Sequence, residues 1–165
     1  MRTSNTDHGF TLIELLVVIG IIGVLSSIIL SSLTTARNKS IDAQAIANLD
    51  NSRSQSQLFY DANGNRFVQS SGTVSDICNI NAAQGGSKGV YSFLQSAAQT
   101  ESVQNIAYNT SGAANTAVCN STGNGWAMEI PLKNGHYYCV DSNGIASSSQ
   151  NLLILVNSID VDCSN

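Results

Sequence analysis

Residues 10–33 read FTLIELLVVIGIIGVLSSIILSSL, an almost unbroken apolar run whose only charge is Glu14. As a helix rising about 1.5 Å per residue, this run covers roughly 36 Å, enough to cross a bilayer core of ~30 Å. The remainder is rich in Ser, Asn, Gln and Ala, and charged residues make up only 11 % of the chain, well below the roughly 25 % of ordinary soluble domains. A surface of neutral amides and hydroxyls suits an extracellular, self-associating protein better than a cytosolic enzyme. The net charge is −4 and the only basic cluster is Arg37 with Lys39, so general nucleic-acid binding, which needs several convergent cations, is not indicated.

Glu14 is the informative residue, because a carboxylate inside a membrane helix normally has a partner. One reading is a local capping box, with Thr11 capping the helix and Glu14 answering the free amide of Thr11. Gly20, Gly23, Ser27 and Ser31 follow helical spacing and make a stripe of small residues, which lets neighbouring helix backbones approach closely. An ordinary secretory signal competes, with Thr34-Thr35-Ala36 as its cleavage site, but such apolar cores run roughly 7–15 residues; this one is longer and holds an acid.

The stretch GFTLIELLVVI at Gly9–Ile19 resembles the class III signal of type IV prepilins and pseudopilins, and the match continues without a gap through Leu33. Gly9, Phe10 and Glu14 occupy the three positions that define the motif. The resemblance implies a leader at residues 1–9, cut by a prepilin peptidase between Gly9 and Phe10 on the cytoplasmic face, followed by N-methylation of Phe10. It also implies an inner-membrane precursor pool, a platform protein, a cytoplasmic assembly ATPase and a homopolymer exposed at the cell surface. Cleavage frees an α-amine on Phe10 with a reference pKa near 7.7, largely protonated at neutral pH. Glu14 of one subunit then meets the Phe10 ammonium of the next, a pair that sets axial register more than net affinity because desolvation offsets much of the attraction. Many family members carry a proline where Ser31 stands; here any local melting of the helix relies on Gly20 and Gly23.

Residues 34–60 contain neither Pro nor Gly, so the helix is predicted to continue to about Tyr60. Ile41, Ala45, Leu49, Leu58 and Phe59 provide a weak apolar face for a head domain. Gly64 in Asp61–Asn65 ends the helix. That run superficially resembles a calcium loop, but Gly72 stands where an EF-hand needs a glutamate; it is more similar to the turn after the long helix of major pseudopilins.

Residues 61–165 form the head. A short helix is predicted around Val90–Ala98, and strands at 117–120, 126–132, 136–141 and 152–156. Asn-Gly at 124–125, 134–135 and 143–144 marks the hairpins. Cys78, Cys119, Cys139 and Cys163 contain no metal-type pair and read as two disulfides in an oxidising compartment. Four cysteines allow three pairings; we favour Cys78–Cys119 with Cys139–Cys163. His136 reads as a strand residue rather than a general base. Asp141, Asp160 and Asp162 are the only calcium candidates, and Asn-Gly neighbours make them turn formers first. No metal or other cofactor is otherwise called for, and no enzyme motif is present.

The expected fold is α+β: a pilin ladle with one long N-terminal helix and a small antiparallel β-sheet head. Its segments are a leader (1–9), a membrane and filament-core helix (10–33), an amphipathic continuation (34–60) and an extracellular head (61–165). The expected function is a structural filament subunit, with a pseudopilin of a type II secretion system as the alternative. A membrane-anchored extracellular binding domain that never polymerises is the third reading.

Overall fold

Thr11 fixes where the first helix begins. Its hydroxyl accepts the Glu14 amide at 3.3 Å, and its own amide donates to Glu14 Oε2 at 2.9 Å. In the computed structural model, which describes residues 9–68, 76–79, 89–154 and 161–164, helix α1 accordingly runs Leu12–Ala62 without a break over 51 residues. Gly64 (φ 68°) and Asn65 (φ 61°) stop it. The Asn65 amide reaches back to the Tyr60 carbonyl at 3.0 Å, the bond of a Schellman termination. Residues 1–8, where most of the expected leader falls, lie outside the described residues.

The chain divides into two compact units, residues 1–37 and 38–165. In the first, the apolar part of α1 is exposed, and it is long and apolar enough, by length and composition, to cross a membrane.

In the second unit α1 buries Asp42, Ala45, Leu49, Ser52, Ser56 and Phe59, a spacing of three and four that forms one helix face. This face is more polar than the expected one, and Leu58 points outward, 59 % exposed. Burial of hydroxyls is tolerated because they bond to the helix's own carbonyls: Ser52 Oγ to Leu49 at 2.6 Å and Ser56 Oγ to Arg53 at 2.7 Å. Three polar side chains tie the helix to the sheet and its turns. Asp42 Oδ1 accepts the Lys133 amide at 2.8 Å, Asp50 Oδ1 accepts the Tyr138 hydroxyl at 2.9 Å, and Arg53 donates to the Ile145 carbonyl at 2.5 Å. Burial, with Asp50 beside it, pushes the Tyr138 hydroxyl up to about 12, so it stays a donor.

Helix α2 (Tyr91–Glu101) is followed by strands β1 (Asn105–Tyr108), β2 (Thr116–Ser121), β3 (Trp126–Pro131), β4 (Tyr137–Asp141) and β5 (Ala146–Ser149), which lie side by side in chain order. The result is an α+β, pilin-like architecture. The sheet is mixed, which corrects the expected antiparallel one: β1 runs parallel to β2, and the other neighbours are antiparallel. Parallel neighbours usually need a long crossover. Here β1 is only four residues long, so the connection has to return only about 13 Å. Left-handed Asn109 (φ 50°) and Asn115 (φ 56°) bend it sharply enough to do so.

The second correction concerns residues 152–156. Residues 152–154 are not a strand, and 155–156 lie outside the described residues. The amides of Leu153 and Ile154 go to Glu129 Oε2, at 2.5 and 3.0 Å, instead of to a ladder. Pro131 ends the central strand β3 harmlessly, because the ladder with β2 stops at Val118↔Glu129.

Both sheet faces are covered. Trp126, Met128, Ile130 and Val140 join Leu49, Phe59 and Leu94 in one core, while Val118, Ala127 and Cys139 meet Leu153, Ile154 and Cys163 in another. Gly112 is needed at the second, since an added Cβ would lie 2.6 Å from the Ile154 carbonyl oxygen. Gly112→Ala is therefore expected to cost about 1–3 kcal/mol, seen as a lower thermal midpoint of the otherwise intact chain.

Candidate functional site: the processing junction and the assembly helix

Every described residue from Gly9 to Arg37 is exposed. The Gly9–Phe10 junction lies just ahead of the first helical turn, with Phe10 79 % exposed, so the expected scissile bond is in open backbone that a protease can engage. Glu14 lies within reach of this junction but is held locally. Its Oε2 accepts both the amide and the hydroxyl of Thr11, at 2.9 and 2.7 Å. The structure thus brings Thr11 and Glu14 together as a complete capping box, with an acid at the positive end of the helix dipole.

Gly20 and Gly23 have open space where a Cβ would be, with nothing within 4 Å. Some of the hydroxyls that follow bond inside the helix: Ser27 Oγ donates to the Val24 carbonyl at 2.8 Å, and Thr34 Oγ1 to that of Leu30 at 3.1 Å. A hydroxyl bonded in this way leaves no unpaired donor in hydrocarbon. The helix surface is therefore largely apolar from Leu15 to Leu33, with a shallow strip at Gly20, Gly23 and Ser27.

The remaining candidates lie in the head. Cys78 bonds Cys119 and Cys139 bonds Cys163, with Cα separations of 5.6 and 5.7 Å. His136 lies half-buried just before β4 rather than within it, its amide donating to Asn134 Oδ1 at 2.8 Å. Asp141 spends both oxygens on backbone amides: Oδ1 on Asn143 and Ile145, each at 2.9 Å, and Oδ2 on Cys163 at 3.1 Å. Asp162 Oδ1 takes the Ser164 amide at 2.9 Å, and Asp160 lies outside the described residues. Among the described residues no group of three or more His, Cys, Asp or Glu is placed to hold a metal ion.

Sequence reasoning missed the buried acids of the head. Glu129 is fully buried, and burial raises its pKa against the pull of the Leu153 and Ile154 amides. The signal for it was present: a lone acid between apolar neighbours in W-A-M-E-I-P points to a core carboxyl, here bonded through Oε2 while Oε1 has no partner. Asp76 was missed too. It ties the Cys78 amide, the Ser121 hydroxyl and the Asn109 side chain together at 2.8, 2.5 and 2.6 Å, and nothing in its local sequence announces it.

No curated protein and no solved structure matches the chain. Residues 4–30 match the prokaryotic N-terminal methylation motif, and they enclose the Gly9–Phe10 junction, the Thr11–Glu14 box and the glycine strip described above. Over those residues the chain carries the class III prepilin signal of the type IV pilin and pseudopilin family.

Proposed function

We propose that this chain is a structural subunit of a type IV pilus-like filament, which polymerises through residues 10–33 once the leader is removed at Gly9–Phe10. The observation that carries the reading is an apolar helix whose large side chains are exposed all along it. Its large hydrophobic residues are 45–81 % exposed from Phe10 to Leu33, far beyond what a soluble monomer leaves open. A bilayer covers this surface in the precursor, and copies of the same helix cover it in the filament. The strip at Gly20 and Gly23 allows close backbone approach between them.

Glu14 acts in both stages. In the isolated chain Oε2 serves Thr11; Oε1 then remains to receive the Phe10 ammonium of a neighbouring subunit. A carboxylate already oriented by its cap loses little further freedom on pairing, so the box and the register role support each other. The signal implies processing by a prepilin peptidase and handling by pilus-type assembly machinery; a platform protein and an assembly ATPase are the specific partners proposed. The second reading is a pseudopilin of a type II secretion system, supported by the resemblance of the sequence at Asp61–Asn65 to the turn after the long helix of major pseudopilins.

N-terminal analysis of the protein purified from membranes tests the proposal. The expected start is N-methylated Phe10. A start at Arg37 would mean ordinary secretion, with the helix discarded, and would end the polymer reading.

A further inference from the structure

At the far end of α2, Glu101 is 3 % exposed and neither of its carboxylate oxygens has a hydrogen-bond donor. Two charged groups face it from the elements packed against it: Asp42 of α1, itself only 6 % exposed, and Lys133 of the β3–β4 turn. Lys133 offsets the Glu101 charge only in part. Its amide donates to Asp42 Oδ1 at 2.8 Å, and its Nζ donates to the backbone carbonyl of Glu101. Two carboxyls thus sit together at the junction of α1, α2 and the β3–β4 turn, with one cation between them that is already engaged. Both cannot be ionised there without repulsion in a poorly solvated place.

We propose that a proton on Glu101, donated to Asp42, forms a latch: the end of α2 stays on α1 while the proton is present and loosens when it leaves. A protonated Glu101 becomes a donor to Asp42, which satisfies the buried group and removes the like charge at once. A cavity of about 460 Å3, lined by Glu101, Asn105, Asn115 and Lys133 among others, opens beside Glu101 and gives the proton a route to solvent. Burial first, then Asp42, pushes the Glu101 carboxyl from 4.5 up to about 7, and Lys133 pulls the other way. A carboxyl raised on folding binds its proton more tightly in the folded chain. Its contribution is therefore complete below about pH 4.5 and is lost as the pH climbs through about 7.

Glu129 is shifted in the same direction, so a global melting curve mixes the two acids and a local readout is needed. Amide exchange of residues 91–101 in the full mature chain in detergent micelles, corrected for intrinsic rate, supplies it. Opening of α2 is expected to be roughly tenfold more frequent at about pH 8.5 than at about pH 5.5. Glu101→Gln should abolish that difference. Asp42→Asn, whose Oδ1 still accepts the Lys133 amide, should reduce it. Equal opening at both pH values in the unaltered chain, or an unchanged difference in Glu101→Gln, would overturn the latch. Should Glu101→Gln fail to fold, the carboxyl carbon shift of Glu101 in the unaltered chain decides: a midpoint near 7 supports the protonated Glu101, and one near 4.5 refutes it.

Discussion

Glu14→Ala is expected to lower filament yield by about 100-fold or more while the precursor still enters the membrane. The insertion signal is the apolar run, and removing its only acid makes that run more apolar. Assembly is different, because each added subunit would bury a Phe10 ammonium with no counter-charge. Stripping one partner from a buried ion pair costs about 3–5 kcal/mol, and ~3 kcal/mol already corresponds to a factor of about 100 in a subunit-addition constant. The capping role predicts much less. Thr11→Ala removes the box but leaves the carboxylate, at a cost of about 1 kcal/mol of helix end, and should still give filaments. Counting filaments by electron microscopy in the two variants, with precursor measured in membranes, separates register from capping.

Opening the disulfides is expected to have the second large effect. The cysteines of Cys78–Cys119 are 41 residues apart and those of Cys139–Cys163 are 24 apart. Constraint of the unfolded chain over such loops corresponds to about 4 and about 3.5 kcal/mol, against a typical total of about 5–15 kcal/mol for a small domain. The Cys78–Cys119 bridge fastens the short segment around Cys78, held otherwise by Asp76, to β2. The Cys139–Cys163 bridge holds the last residues, which Asp141 and Ser147 also bind through the Cys163 amide and carbonyl. Cys139→Ser with Cys163→Ser should therefore loosen the cover over Val118 and Ala127 and lower the denaturant midpoint. Cys78→Ser with Cys119→Ser should lower it further. Unfolding curves under oxidising and reducing conditions check both, and equal curves would mean that the bridges add nothing.

The legible parts of the fold were those with local causes. Thr11, Glu14 and the absence of Pro and Gly after residue 33 define α1 almost to the residue, and Gly64 defines its end. Trp126–Pro131 and Tyr137–Asp141 were readable because apolar residues occupy both faces of a doubly covered strand and Asn-Gly pairs separate them. What escaped has non-local causes. Strand β5, Ala146–Ser149, has little strand propensity of its own and exists because the turn at Asn143–Gly144 lays it along β4. Strand β1 is half-exposed and pairs in parallel with a segment beyond a connecting loop, so no alternation marks it. Leu152–Ile154 looks like a strand by composition but is diverted by Glu129, a residue distant in sequence. In the site, the Thr11–Glu14 capping box was readable from the chain itself, whereas the Asp42–Glu101 pair required knowing which helix meets which.

A helical reconstruction of filaments formed by the mature chain, at side-chain detail, bears on the central claim most directly. The Glu14 carboxylate should lie within about 4 Å of the Phe10 nitrogen of an adjacent subunit, with Gly20 and Gly23 at the close approach of neighbouring helices. A processed chain that stays monomeric, or a filament in which Glu14 faces water, would contradict it.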